Sequence, residues 1–416
     1  MPMAESMSRS RMEGEDRQDP LAEVRGRFVI PQGLRYFDGN SLGPLTHGAR
    51  ERLLRVMDVE WGQDLIAGWN DHSWIELPRR VGAKIARLVG AQDDEVVSCD
   101  STSVNLYKLL AAAVNLRPGR RTVVCQADHF PTDIYLARGL VELLGEPHRL
   151  VLADPDDLDD AVDDDTAVVC LGHVDFRNGR LLDMGELTRR IQDRGALTLW
   201  DLSHSAGALD VRLGEHGVDM AVGCGYKFLN GGPGAPAFAY VRRDLQDRVR
   251  TPLPGWLGHR DPFAFDVEYV PADGVGRLVC GTPPILAMAT LDAALDAFDG
   301  VDLGDLRRKS VALGDHFLSL VEARCGGLGL ELACPRDGAE RGSQVCLRHR
   351  EGYGVMQALI HRRVVGDFRP PDVMRFGLCP LYTRFVDVWD AVESLRDILA
   401  TGAWRDERFR RRGVVT

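Results

Sequence analysis

Lysine is scarce in this chain: 416 residues hold 47 arginines but only four lysines, Lys84, Lys108, Lys227 and Lys309. Three have ordinary settings. Lys84 and Lys108 fall in stretches with the apolar spacing of amphipathic helices (VGAKIARLVG and VNLYKLLAAAV), and Lys309 sits in the charged run DLRRKS. Lys227 differs. It follows the apolar run VDMAVGCGY and precedes FLNGGPGAPAFAYV, a Gly/Pro-rich turn leading into another strand-like stretch. An amine held there among apolar neighbours is a good candidate for one kept partly neutral by desolvation. A neutral amine is what a Schiff base with an aldehyde requires.

The segment upstream supplies a complement. ALTLWDLSHSAG reads as a buried strand from Ala196 to Trp200, ending at Asp201, with His204 three residues on. Ligands gather at the carboxyl ends of strands in an open parallel sheet. Asp201 would stand at one strand end and Lys227 just beyond the next. Taken singly, Asp201 reads as well as a helix cap and Lys227 as a solvated loop lysine. Taken together they form the pair that pyridoxal 5'-phosphate needs. The lysine holds its aldehyde, and the anion keeps its pyridine nitrogen protonated so that the ring acts as an electron sink. Ser101, Thr102 and Ser103 stand directly before an apolar-periodic run, a helix start. Its free N–H groups and hydroxyls suit an anion, or serve simply as caps.

These residues need a scaffold, and the pattern from Arg121 onward provides one. RTVVCQA, HRLVLAD, DTAVVCLGHV, ALTLWDL and DMAVGCG read as short buried strands with helical stretches between them. That rhythm predicts an α/β fold with a mainly parallel sheet and crossover helices. After Pro283 the texture turns helical (ILAMATLDAALDAF, LGDHFLSLVEARC), then mixed, ending in the arginine-rich RDERFRRRG. The expected organisation is a disordered polar leader over 1–25, an N-terminal segment over 26–75, a large domain over 76–290 and a smaller α+β domain over 291–416. The leader lacks the apolar core of a secretory signal. A composition of 44% apolar and 27% charged residues is that of an ordinary soluble globular protein. A net charge of −11 argues against nucleic acid or an anionic membrane as partner, and no apolar stretch is long enough to span a bilayer. The nine cysteines form no C-x-x-C pair, so neither a zinc site nor a disulfide framework is expected, and the cytoplasm is the expected compartment.

Seven stretches carry a family resemblance: YFDGNSLGPL (36–45), CDSTSVNLYKLL (99–110), DHFPTDIYLARGL (128–140), WDLSHSAGALDV (200–211), GCGYKFLNGGPGAPAFAYV (223–241), CGTPPILA (280–287) and GDFRPPDVMRFGLCPLY (366–382). Together they resemble the kynureninases, fold-type-I pyridoxal-phosphate enzymes, from about residue 35 to 395. The resemblance implies hydrolytic cleavage of L-kynurenine to anthranilate and L-alanine in tryptophan degradation. It implies Lys227 as the Schiff-base lysine, Asp201 on the pyridine nitrogen with His204 beside it, and Phe130 stacked on the ring. Asp133 belongs to the same pocket, and Thr102, Ser103 and Tyr226 contact the phosphate. Trp256 and Thr282 would complete that site from the neighbouring subunit of a homodimer. Arg375, with Ser41, would hold the substrate, its guanidinium pairing with the α-carboxylate. The freed Lys227 amine would remove the Cα proton, with Tyr226 as candidate general acid/base or as phosphate ligand only.

Trp69 and the pair Gly281-Thr282 match the pattern of bacterial-type enzymes, which favours plain kynurenine as substrate. The alternative is a ring-substituted kynurenine, such as 3-hydroxykynurenine, in secondary metabolism. One departure stands out: where the family pattern reads THVNYRTG, this chain has GHVDFRNG at 172–179. Gly172 removes a hydroxyl near the cofactor and Asp175 replaces an amide. A more distant alternative is a cysteine desulfurase or aminotransferase on the same fold, and a catalytically silent homologue is argued against by intact Lys227, Asp201, Tyr226 and Arg375.

Overall fold

The computed structural model describes residues 8–411 and 413. Its strands are β1 (Arg35–Tyr36), β2 (Val96–Ser98), β3 (Thr122–Gln126), β4 (Arg149–Ala153), β5 (Thr166–Gly172), β6 (Leu197–Asp201), β7 (Met220–Gly223) and β8 (Phe238–Val241), followed by β9 (Glu331–Leu332), β10 (Gln344–Arg348), β11 (Val364–Val365), β12 (Asp367–Arg369) and β13 (Val373–Gly377). Seven of them form one sheet in the order β2-β8-β7-β6-β5-β3-β4. The five strands from β4 to β7 run parallel, and β8 is antiparallel to both β7 and β2. Helices cover both faces, which is why β3, β5, β7 and β8 are buried at every position and read as unbroken apolar runs.

All five strands expected between residues 121 and 225 are present. Helix Thr102–Leu116 and helix Pro131–Leu144 contribute to the core on one face, with Leu106, Leu109, Leu110, Ala137 and Leu140 packed on Val123, Val168 and Leu199. Helices Leu77–Val89, Met184–Asp193 and Ile285–Ala294 build the other core around Val169, Trp200 and Ala221. A second, antiparallel sheet in the order β12-β13-β10-β9 packs against helices Leu303–Cys325 and Phe385–Thr401 around a separate core. The parallel pair β1–β11 ties the N-terminal segment to this later part of the chain.

Two sequence expectations are corrected here. Residues 1–7 of the expected leader lie outside the described residues, but its remainder is ordered: Arg9–Gln18 is a helix and Ala22–Arg27 a 3-10 turn. The helix holds one apolar side chain inside, Met12, which is fully buried in the core of the antiparallel sheet. Polar contacts anchor the rest. Asp16 accepts the N–H groups of Phe385 and Val386 at 2.7 and 3.1 Å, serving the start of the last long helix beside Asp387, which accepts the Arg384 N–H at 3.1 Å. Asp19 pairs with Lys309 at 2.6 Å, both buried. The lysines are the second correction. Lys108, too, is wholly buried, donating to Asp100 at 2.6 Å and to the Leu278 carbonyl at 2.7 Å, so neither it nor Lys309 lies on a solvated helix face.

Removing the Asp16 carboxylate leaves two helix-start N–H groups without acceptors. Asp16→Ala is expected to destabilise the fold by about 1 kcal/mol, as loss of a helix cap does. Urea unfolding measures this, and an unchanged midpoint would show that the N-terminal helix adds nothing to stability.

Candidate active site

The parallel strands deliver their carboxyl ends to one edge of the sheet. In register there, Gly172 at the end of β5 lies beside Asp201 at the end of β6, and Asp201 beside Val222 of β7. Gln126 ends β3, and His129 follows it in the turn before helix Pro131–Leu144. Four residues after β7 comes Lys227. A cleft of about 230 Å³ opens over this edge, lined by Ser41, Thr102, Ser103, Phe130, Asp133, Asp201, His204, Tyr226, Lys227 and Arg375, ten of the residues picked out in the sequence.

Close backbone packing fixes the lysine loop. Gly43, in the GNSLGP stretch, donates its N–H to the Tyr226 carbonyl at 2.8 Å. A Cβ at Gly43 would lie 2.3 Å from the Lys227 carbonyl oxygen and 2.4 Å from Asn230 Oδ1, so only glycine fits. Lys227 Nζ lies 3.0 Å from His204 Nε2. Burial, with Lys227 and then Arg375 and Arg369 nearby, holds His204 well below the ordinary imidazole range, so it is neutral. Lys227 Nζ then donates to Nε2, and the ring proton sits on Nδ1, a buried atom with no protein partner.

Asp201 accepts the Ser203 N–H at 2.8 Å. Burial pushes its carboxyl up, as does the charge of Asp133, while His129 and Lys227 pull it back down. Tyr226 is half-buried, and burial followed by the neighbouring Cys224 thiol raises its phenol, so the hydroxyl keeps its proton and donates. Helix Thr102–Leu116 points its N-terminus into the cleft, with Ser101 as its cap. Phe130 stays 47% exposed at the mouth, edge-on to Phe176 at 5.2 Å.

At the opposite wall, Arg375 on β13 faces Asp367 on β12 across the ladder. Its Nε donates to Asp367 at 2.7 Å, Nη2 donates to the same carboxylate and to Ser41, and Nη1 donates to the Phe176 carbonyl. Burial would raise the Asp367 carboxyl, but Arg375 outweighs it and holds the group low. Arg375 is therefore more committed than expected from the sequence, and a ligand carboxylate must share it with Asp367. A second guanidinium is at hand: Arg369, also lining the cleft, pairs with Asp367 at 2.8 Å and is far more exposed.

Arg369, His129, Asn40, Gln126 and Phe176 line the cleft without having been singled out. Adjacency is the signal that would have found two of them, since His129 precedes Phe130 and Asn40 precedes Ser41. Trp69, Trp256, Gly281 and Thr282 do not line it. Trp69 packs edge-on against Trp74 at 5.8 Å, while Trp256 and Thr282 are exposed.

The donor set fits a phosphorylated pyridine aldehyde. A lysine amine, a carboxylate at the neighbouring strand end, a helix N-terminus with two hydroxyl side chains and an exposed aromatic converge on one cleft, where His204 Nδ1 waits unpartnered. With the parallel sheet and its strand-end lysine, this defines a fold-type-I enzyme dependent on pyridoxal 5'-phosphate. Comparison with known proteins agrees and sharpens it. The aminotransferase class-V model matches residues 73–347 and the kynureninase C-terminal domain model residues 306–395. Curated kynureninases from Burkholderia mallei (strain SAVP1) and Pseudomonas fluorescens are 50% and 48% identical over 406 residues, covering 96% of this chain and 98% of each relative. The chain belongs to the kynureninase family. Among solved structures, cysteine desulfurases from Thermococcus onnurineus NA1 and Escherichia coli superpose with TM-scores of 0.76 and 0.75 over 91% and 92% of this chain and 98% of theirs. At 18% and 16% identity they share the fold alone.

Gly43→Ala is expected to displace the lysine loop and weaken cofactor retention at least tenfold while far-UV circular dichroism stays unchanged. Equilibrium dialysis against pyridoxal phosphate measures this. Undiminished retention would show that the Gly43 contact does not set the position of Lys227.

Proposed function

We propose that this protein cleaves L-kynurenine with water between Cβ and Cγ, releasing anthranilate and L-alanine. The observation that carries the reading is Lys227 Nζ bonded to a neutral His204, beside Asp201 at a strand end, in a chain half identical to kynureninases over nearly its whole length. Pyridoxal phosphate, when bound, supplies an electron sink for charge released at the substrate's Cα. The residues that would hold it are Lys227 at its aldehyde, Asp201 at its pyridine nitrogen with His204 adjacent, Phe130 on its face, Asp133 in the same pocket, and Thr102, Ser103 and Tyr226 at its phosphate.

The chain's own groups account for the rest. Burial and Asp133 push the Asp201 carboxyl up while His129 and Lys227 pull the other way, and a protonated ring nitrogen beside it would favour its ionised form. Once freed, the Lys227 amine takes the Cα proton, and the His204 ring holds that amine in place by the bond at Nε2. Tyr226, protonated and facing the cleft, is the donor for a developing negative oxygen. Arg375 and Arg369 receive the α-carboxylate, with Ser41 beside them. Plain kynurenine is favoured over a ring-substituted one because Trp69 and Gly281-Thr282 follow the bacterial pattern.

Addition of L-kynurenine to the protein loaded with cofactor should release fluorescent anthranilate. Lys227→Ala should lose turnover and the visible absorbance of covalently held cofactor. Bound cofactor with release only from 3-hydroxykynurenine would replace the substrate assignment, and failure to bind cofactor at all would overturn the function.

A homodimer completes the site in this reading. The cleft, about 230 Å³, falls below the ~300–1,000 Å³ usual for ligand pockets, and Trp69, Trp256, Gly281 and Thr282 lie outside it. Trp256 belongs to an exposed apolar patch in which its ring meets Phe263 at 5.8 Å, Phe263 meets Phe265 at 6.3 Å, and Val267 is 99% exposed. Such a patch is the mark of a covered surface. No helix among the described residues is long and apolar enough to cross a membrane, and all nine cysteines are free thiols, in keeping with the cytoplasm. Sedimentation should give twice the chain mass of 46.0 kDa. Phe265→Asp should shift the protein to monomer and weaken cofactor binding; a fully active monomer would refute the shared site.

A further inference from the structure

Beneath the cofactor end of the cleft lies a group for which no role has yet been assigned. His129 is buried, and its Nδ1 lies 2.9 Å from the buried Asp133 carboxylate. The Phe130 N–H lies 2.8 Å from the same nitrogen. The two neighbours demand opposite things: the amide wants a lone pair and the carboxylate wants a proton. In the arrangement seen, the Phe130 N–H donates to Nδ1 and Asp133 Oδ2 accepts no hydrogen bond; a full negative charge outweighs an amide dipole, so a proton placed on Nδ1 would turn to Asp133. The other nitrogen, Nε2, is buried without a partner. It faces the open place at Gly172, where a Cβ would come within 3.3 Å of it. Polar atoms of His129, Asp133 and Asp201 all lie within 4.8 Å of one another.

We propose that His129 is held as an imidazolium and acts as a positioning residue: Nδ1–H pairs with Asp133, Nε2–H occupies the polar place left open by Gly172, and its positive charge keeps Asp201 ionised. The last clause rests on the reading of Asp201 as partner of the pyridine nitrogen; the first two do not.

The charges around the ring favour this state. Asp133 faces it from helix Pro131–Leu144, Asp201 from the end of β6, and the Cys125 thiol from β3, while β5 brings the bare Gly172 and the Cys170 thiol, which is held protonated beside Cys125. Burial alone would discharge the imidazole, but Asp133 and then Asp201 override it and raise the ring to about 9. The ordinary value is about 6.5. A folded value above the unfolded one means that the stabilisation is complete below about 6.5 and is lost as pH rises through about 9. Without this cation, two carboxylates and one lysine amine would share the sheet edge, and one carboxylate would take up a proton. Gly172 follows from the same arrangement: a Cβ there would stand 3.3 Å from Nε2 and 3.6 Å from the adjoining ring carbon, tight enough that the imidazole would have to shift.

The test uses the full-length protein labelled with 15N-histidine, with and without pyridoxal phosphate. Of 11 histidines, one ring is expected to titrate near 9, and to vanish from the spectrum of His129→Gln. If no histidine titrates above about 8 in the unaltered chain, the proposal fails, and this outcome needs no variant to fold. A double-mutant cycle tests the Gly172 clause through cofactor affinity. Gly172→Thr alone should weaken binding at least tenfold, and by less than twofold in a His129→Asn background; effects that simply multiply would overturn the coupling. A protein that shows the high-pH titration yet binds no pyridoxal phosphate would sink the cofactor reading and leave the imidazolium standing.

Discussion

Charge balance at the carboxyl edge of the parallel sheet constrains everything built around it. Asp133, Asp201, His129, His204 and Lys227 meet where little water reaches them. An isolated charge there would be neutralised by a shift in its own titration. The groups persist because they are paired: Lys227 with His204, His129 with Asp133, and Asp201 with the Ser203 N–H and the two nearby cations. The five parallel strands allow this pairing. They bring residues that end or follow three separate strands, β3, β6 and β7, to one edge of a sheet with a spacing of about 4.8 Å between neighbouring strands, close enough for charges to act on each other.

Much of that line was legible in the sequence. The strands ending at Gln126, Gly172, Asp201 and Gly223 are buried on both faces, so each appears as a short apolar run ending in a polar residue or glycine. The motifs flanking them are local, and local patterns survive in a one-dimensional reading. Lys227 was recognisable for the same reason: the glycine-rich turn that follows it is adjacent in the chain.

What escaped detection depended on partners remote in sequence. The N-terminal helix has one buried apolar residue, and its anchor, Asp16, bonds to an N–H 369 residues away. No window of the sequence contains both ends of that bond. Lys309 looked like an ordinary helix lysine because its partner, Asp19, lies in the polar leader; Lys108 has its carboxylate, Asp100, only eight residues before it, but the Leu278 carbonyl it also reaches is 170 residues on. His129 adjoins a motif residue, but its significance lies in the empty space at Gly172, on the neighbouring strand. A glycine in a strand announces a close approach without naming what approaches.

The opposite wall shows how charge also selects the ligand. Arg375 and Arg369 share one firmly ionised carboxylate, Asp367. Asp38, nearby, is pushed up to about 7 by burial and by Asp367, so it adds at most a fractional negative charge near neutral pH. The balance leaves an excess of positive charge facing the cleft, which favours a ligand carrying its own carboxylate. That carboxylate must compete with Asp367 for the Arg375 fork, so the guanidinium is oriented before the ligand arrives. Pre-orientation lowers the entropy cost of binding, while competition limits affinity. A neutral analogue would gain neither contact and would leave the two arginines as they were. The wall therefore works as a filter for charge, and the sheet edge opposite holds the groups that act on whatever the filter admits.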